Sequence, residues 1–360
     1  MTSPPKRVCW LLSLFVSGLT GSTVMGGAGD LLVSARFGNN ILRYAAGSGA
    51  FVGQFNIGGG LSNPSGLAFD QSGILYAGNF NLDQVVRFAY DGTFLGVFLS
   101  SSSAPGFGKP LALVFGPDGD LYTTSNVTAG VYRYVFATGT FAKFNTGGTL
   151  SGATGLVFMP GGDLLVSSAG TNQILRYNGS TGAFIGTFGS GVTLSNPTDL
   201  QIGSDGALYA ASTLSNQIMR YDFSTGVGSV FIGTGLSRPI GLAFDGSGNL
   251  YVANQGANNI LWFNSAGAAL GIFVPAGSGG LNGPDYFAFV PPPICATCPG
   301  DISGDLVRSG LDIQAFVACL INNPGTTACA CADLNNDGVL DANDVDAFAQ
   351  LLMDGPSSCS

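Results

Sequence analysis

The chain contains no histidine, and its 21 acidic residues are all aspartate, so glutamate is missing as well. Without histidine, neither histidine–zinc chemistry nor histidine general-base chemistry is available within this chain. Basic residues number only 12, giving a formal net charge of −9, which argues against a nucleic-acid partner. Charged residues of both signs make up 9%, against roughly a quarter in ordinary soluble domains. The apolar run from Val8 to Leu19 falls short of the ~20 residues that a membrane-spanning helix needs. Lys6 and Arg7 precede it, and small residues lead on to Gly26-Gly27-Ala28. That is the pattern of an export signal over residues 1–28, cleaved after Ala28, and the competing reading is an uncleaved anchor. Cys9 stands at the start of the run and not after it, which argues against a lipoprotein. Signal cleavage leaves a secreted, periplasmic or cell-surface protein with no membrane span.

Glycine, by contrast, is abundant (57), and it recurs in register. Gly29, Gly73, Gly119, Gly162, Gly206 and Gly248 open copies of one unit, in steps of 44, 46, 43, 44 and 42 residues. Five copies carry an apolar-Arg-aromatic signature: Arg43-Tyr44, Arg87-Phe88, Arg133-Tyr134, Arg176-Tyr177 and Arg220-Tyr221. The sixth has Trp262-Phe263. Four short alternating strands per unit with glycine-rich turns describe one propeller blade, so the reading is mainly β, a six-bladed propeller over residues 29–290. The first unit lacks its leading strand, and Asp285–Val290, after the Gly283-Pro284 break, supplies it from the far end. Pairing the two satisfies both open sheet edges; an open solenoid would need capping repeats, and none is seen. Period, strand order and closure resemble the six-bladed propellers of the NHL and gluconolactonase types. That resemblance implies architecture more than activity, since one fold hosts many functions.

Pro291-Pro292-Pro293 is a stiff break that opens a linker over residues 291–297. Nine of the 21 aspartates fall between Asp301 and Asp354. Residues 333–344 fit the EF-hand loop position by position: Asp333, Asn335, Asp337, the Val339 carbonyl, Asp341 through water, and Asp344 closing the loop. Gly338 stands at the sharp turn. Carboxylates spaced this densely repel one another unless a hard cation lies between them, which disfavours a merely solvated acidic turn. A second copy 32 residues earlier reads Asp301, Ser303, Asp305, Val307, Ser309 and Asp312. Leu306 replaces its turn glycine and two ligands are uncharged serines, so it is the weaker loop. Each loop runs into a helix with the same apolar stripe: Ile313, Phe316, Val317, Leu320 and Ile321, then Val345, Phe348, Ala349, Leu352 and Met353.

Two loop-helix halves over residues 298–355 resemble a type I dockerin, which makes residues 298–360 a small α-helical calcium-binding domain. The resemblance implies calcium as cofactor and a cohesin-like or cell-surface protein as partner. In that family a Ser/Thr pair at loop positions ten and eleven serves recognition, whereas Gly310-Leu311 and Ala342-Asn343 stand here. Cys295, Cys298, Cys319, Cys329, Cys331 and Cys359 form an even set in an exported segment and read as disulfides. Cys319 with Cys329, and Cys295 or Cys298 with Cys359, are the expected pairs. A zinc site from Cys295, Cys298, Cys329 and Cys331 is the alternative.

Related propellers include lactonases and lyases with a metal at the central channel. The residues here that offer such a site are Asp199 and Asp285 at the start of innermost strands, with Asn79 and Asn254 ending second strands. The bland reading is that they cap strand ends. The repeated arginines, one per blade, read as blade packing, and Asp70, Asp118, Asp205 and Asp245 as turn residues. The expectation is therefore a non-catalytic binding or scaffold propeller with a possible glycan or peptide ligand. The alternative is a hydrolase, lactonase or lyase acting on a carbohydrate-derived substrate.

Overall fold

The structure is a computed structural model that describes residues 29–291 and 342–353, together with Ile313, Phe316, Val317, Leu320 and Leu334. The expected signal over residues 1–28, the six cysteines, and both expected calcium loops except Leu334 and residues 342–344 lie outside the described residues.

Twenty-four strands form six four-stranded antiparallel sheets. The innermost strands are β4 (Pro64–Phe69), β8 (Pro110–Phe115), β12 (Ala153–Phe158), β16 (Pro197–Ile202), β20 (Pro239–Phe244) and β24 (Pro284–Phe289). Their neighbours are β5 (Leu75–Asn79), β9 (Leu121–Ser125), β13 (Leu164–Ser168), β17 (Leu208–Ser212), β21 (Leu250–Asn254) and, for β24, β1 (Leu31–Ala35). The last strand thus closes the first sheet, with Leu31 opposite Phe289 and Val33 opposite Phe287. The Gly29 N–H donates to the Val290 carbonyl, and the Val290 N–H to that of Asp30.

All six second strands are buried at every residue. Each lies in a blade packed between two others, so both of its faces are core, and its side chains are mostly apolar, aromatic or small. The outermost strands, such as Phe184–Phe188, are largely exposed. The glycine that opens each unit holds φ between 73° and 89°, the left-handed turn that a side chain would resist.

The arginine of the third strand faces the same second-strand position in all five blades that carry it. Its role is charge pairing as well as packing. Arg43 pairs with Asp30, Arg133 with Asp118 and Asp120, Arg176 with Asp163 and Arg220 with Asp205. Where the facing second-strand residue is Tyr122 or Tyr209, a turn aspartate also accepts its hydroxyl, as Asp245 does from Tyr251 in the blade that has Trp262 instead. Where it is Leu32 or Leu165, the aspartate moves to the residue after the opening glycine, Asp30 or Asp163. The Arg43–Asp30 pair is buried on both sides, whereas Arg220 and Asp205 keep 35% and 39% of their side-chain surface. Asp30→Ala is therefore expected to destabilise the ring by about 3–5 kcal/mol, because a buried guanidinium loses its counterion. Asp205→Ala should cost within about 1 kcal/mol. Urea unfolding of the two variants checks this ranking.

In the C-terminal segment, helix α1 (Ala342–Met353) carries Asp344 in its first turn. Phe348 stacks on Phe316 with ring centroids 4.3 Å apart, so equivalent positions of the two sequence repeats meet. The Asp344 carboxylate is buried and accepts the Leu334 N–H at 2.8 Å, which brings the second and last positions of the 333–344 segment together. Among the described residues no helix is long and apolar enough to cross a membrane.

Candidate functional site: the channel mouth

The two ends of the ring differ. Every non-glycine residue with positive φ among the described residues lies at the end where the innermost strands begin. Asn39, Asp83, Ala129, Asn172, Asn216 and Asn258 occupy the turn after each second strand, with φ of 47–59°. Asn63, Lys109, Asn196 and Arg238 precede the innermost strands, with φ of 48–60°, and Gly152 and Gly283 fill the two remaining copies. In five places the turn residue accepts the backbone N–H of the next blade's entry residue through its side chain, at 2.5–2.8 Å. In the sixth place Ala129 has no side chain to offer, and the entry residue, Gly152, needs no such support. Left-handed backbone suits asparagine and glycine; in lysine and arginine it is strain, which concentrates at functional faces.

Charge divides the same way. The mouth carries Arg36, Lys109, Lys143 and Arg238 against Asp83, Asp199 and Asp285. The opposite face carries Arg43, Arg87, Arg133, Arg176 and Arg220 against Asp30, Asp70, Asp91, Asp118, Asp120, Asp163, Asp205, Asp222 and Asp245. A net excess of one positive charge thus faces an excess of four negative ones. Residues Gly29 and Pro291 both sit at the acidic face, opposite the mouth.

The mouth opens into a cavity of about 340 Å³, lined in three tiers. The rim consists of Arg36, Asn126, Ala169, Gly170, Thr213 and Gln255 from the turns, with Gly152, Asn196 and Arg238 before the innermost strands. The wall is the second residue of those strands: Leu111, Thr154, Thr198, Ile240 and Asp285. Tyr286 is the floor. Thr154 and Thr198 donate their hydroxyls to the Pro197 and Ile240 carbonyls of the next blade. Below the cavity the strands touch main chain to main chain. A Cβ at Gly66, Gly155 or Gly241 would lie within 2.3 Å of a carbonyl oxygen of the neighbouring blade, so glycine is required there.

Of the four channel residues read from sequence, Asp285 alone lines the cavity. It is fully buried, and its Oδ2 accepts from Arg36 at 3.3 Å. Burial pushes its carboxyl up to about 6, against the pull of Arg36. Asp199 lies one residue deeper in its strand. Its two oxygens accept the Leu200 and Leu242 N–H groups at 2.9 Å, tying β16 to β20, and burial raises it to about 7. Asn79 and Asn254 accept the Ser62 and Ser237 N–H groups and hold the loops that lead into β4 and β20. A calcium ion at the channel would find one open carboxylate oxygen, Asp285 Oδ1, beside a guanidinium, while both Asp199 oxygens are held by backbone amides, so these residues do not fit a metal. Among the described residues no cluster of three or more potential metal ligands occurs. Burial, then the charges of Asp199 and Asp285, hold the Tyr286 hydroxyl well above the ordinary tyrosine range. Sequence reading missed Arg36, Arg238 and Gln255. The signal for them was positional: each stands just after a second strand or just before an innermost one.

Fold and site define a six-bladed propeller with a blind, cation-rimmed cavity at one end of its channel. The chain belongs to the virginiamycin B lyase family, whose model matches residues 50–275, more than half of its length. Among solved structures it is similar to a catalytically inactive histidine-to-alanine variant of virginiamycin B lyase from Staphylococcus aureus, solved with quinupristin. Identity is 22%, with 62% of this chain and 73% of that one covered at a TM-score of 0.51. A chain of a nidogen–laminin complex is similar at 16% identity, with 73% and 99% covered and a TM-score of 0.60. A protein of unknown function from Bacteroides caccae matches at 14% identity, with 72% and 98% covered and a TM-score of 0.57. No protein of curated function matches.

Proposed function

We propose that this is an exported, non-catalytic member of its family: a ligand-binding propeller carried by a calcium-binding, dockerin-like attachment domain. The observation that carries this reading is the state of the acid–base groups at the channel. The related lyase is inactive when one histidine becomes alanine, and this chain has no histidine anywhere. The two carboxylates at the channel are engaged, one by an arginine and one by backbone amides. Asp199 has both oxygens spent on backbone amides, and Asp285 keeps one oxygen open to the cavity while Arg36 holds the other, so no unpaired carboxylate base stands there. The layout supports a module that is attached at one face and binds at the other.

Incubation of the full chain with quinupristin tests the point. Quinupristin is expected to be recovered unchanged by mass spectrometry; a product that grows with protein concentration would establish a lyase and overturn the reading.

Calcium is assigned to the loop at 333–344, with oxygen ligands from Asp333, Asn335, Asp337, Val339, Asp341 and Asp344, and more weakly to Asp301, Ser303, Asp305, Val307, Ser309 and Asp312. These are hard donors suited to calcium. The contact between Leu334 and Asp344, which draws the two ends of the loop together, supports this assignment. Asp337→Ala is expected to abolish the tighter site, since no backbone group replaces a charged ligand. Calorimetry giving equal calcium affinity in variant and parent would contradict it. Attachment through this domain to a cohesin-like or cell-surface protein, braced by disulfides among the six cysteines, completes the proposal.

A further inference from the structure

Three features of the mouth cavity have no role in holding the ring together. Asp285 is fully buried, yet its Oδ1 has no hydrogen-bond partner. Gln255 also lines the cavity, and its Nε2 is buried without an acceptor. Arg238 presents a guanidinium with no ion pair among the described residues, from a backbone held at φ 49°. Left-handed backbone costs a side-chain-bearing residue about 1–2 kcal/mol, and this one is followed by proline, which restricts it further. An open acceptor, an open donor and a strained, unpaired arginine thus meet on one cavity.

A buried acceptor and a buried donor left open are expensive unless something occupies them. Water serves in the free protein, and a hydroxyl group, itself both donor and acceptor, can replace it. The wall asks for several donors at once. Thr154 and Thr198 have spent their own protons on backbone carbonyls, so their oxygens face the cavity only as acceptors, alongside Asp285. A peptide brings one backbone donor per residue. A sugar ring brings several within a single unit, and a cavity of about 340 Å³ is near the small end of ligand pockets, which start at roughly 300 Å³. The planar fork of Arg238 matches a carboxylate, and the mouth is the positive face of an acidic chain.

We infer that the mouth cavity binds an anionic sugar residue, with its carboxylate on Arg238 and its hydroxyls on Asp285 and Gln255. This inference rests on the binding reading above and names the ligand class for it.

Calorimetry of the full chain with a short galacturonate oligomer, the matching neutral galactose oligomer and a poly-aspartate peptide tests it. The acidic sugar should bind, and the neutral one about tenfold or more weakly. Arg238→Gly should weaken the acidic sugar by a similar factor while leaving the melting temperature unchanged or higher, because glycine relieves the left-handed strain. Gln255→Ala, at a cavity side chain that bonds nothing, should also weaken it and keep the fold. Equal affinity for the two sugars, no effect of either variant, or no sugar binding at all overturns the inference. Tighter, Arg238-dependent binding of poly-aspartate overturns the sugar assignment and leaves the binding reading intact. Shortened or unsaturated oligomers in the recovered ligand would instead sink the non-catalytic reading.

Discussion

Truncation after Pro284 is expected to collapse the ring, whereas truncation after Val290 is expected to leave its melting essentially unchanged. The first cut removes Tyr286, Phe287 and Val290, exposed by only 6%, 8% and 1%, which pack into three different inter-blade clusters. Burial of the two aromatic side chains contributes on the order of 3–6 kcal/mol. Losing the strand also leaves β1 with one edge unpaired and strips the Ser34 hydroxyl of its partner, the Tyr286 backbone. Against a net stability of about 5–15 kcal/mol for a domain, that loss is most of what there is, and the bare edge invites aggregation. The second cut removes from the described ring only Pro291, whose carbonyl accepts the Tyr90 hydroxyl. Thermal denaturation followed by circular dichroism compares the two; equal melting temperatures would mean that β24 does not close the ring.

The second large effect is a loss of stability between about pH 4 and pH 7. Asp199 rises from 3.8 to about 7 on folding and Asp285 from 3.8 to about 6, both chiefly through burial, and Asp199 is raised further by the charge of Asp285. The folded state therefore binds these protons more tightly than the unfolded chain does. Their contribution is fully present below pH 3.8 and is lost as pH rises through the folded values. A shift of about three units sets a ceiling near 4 kcal/mol for Asp199, and the two titrate as a pair rather than independently. Asp205 is shifted down by its hydrogen bonds and Arg220 and works the other way, losing its contribution in acid. Maximum stability should accordingly lie near pH 4. Asp199→Asn should flatten the decline toward neutral pH, at a roughly pH-independent cost of about 1–3 kcal/mol for the acceptor lost to a buried backbone amide. A parent protein whose melting temperature rises steadily from pH 4 to pH 7.5 would refute the assignment.

The ring was legible because its repeat is written in residues with one conformational use each: the opening glycine, the Arg-aromatic pair, the break before the innermost strand. The closing strand was legible for the same reason, since Asp285–Val290 follows the same break as its counterparts. The mouth was harder. Asp199 and Asp285 look alike until they are counted from their prolines, where one residue of offset sends one into backbone bonds and the other to the cavity wall. Asn79 and Asn254 end their strands as read, but their amides hold loops from behind. Lys109 and Arg238 replace asparagine or glycine before an innermost strand, and only the backbone angles reveal how unusual that is. The ion pairs were half visible: the turn aspartates stood out, while Asp30, Asp120 and Asp163 were hidden beside the glycines that drew attention first.

Retention of a ligand without turnover is tested most directly by equilibrium dialysis of the full chain against the galacturonate oligomer, followed by mass analysis of what is recovered. The oligomer should be held at the mouth and released unchanged, with retention lost in Arg238→Gly. Recovery of cleaved or unsaturated sugar in excess over protein, abolished by Asp285→Asn, would show instead that the buried carboxylate is a working base and the propeller an enzyme.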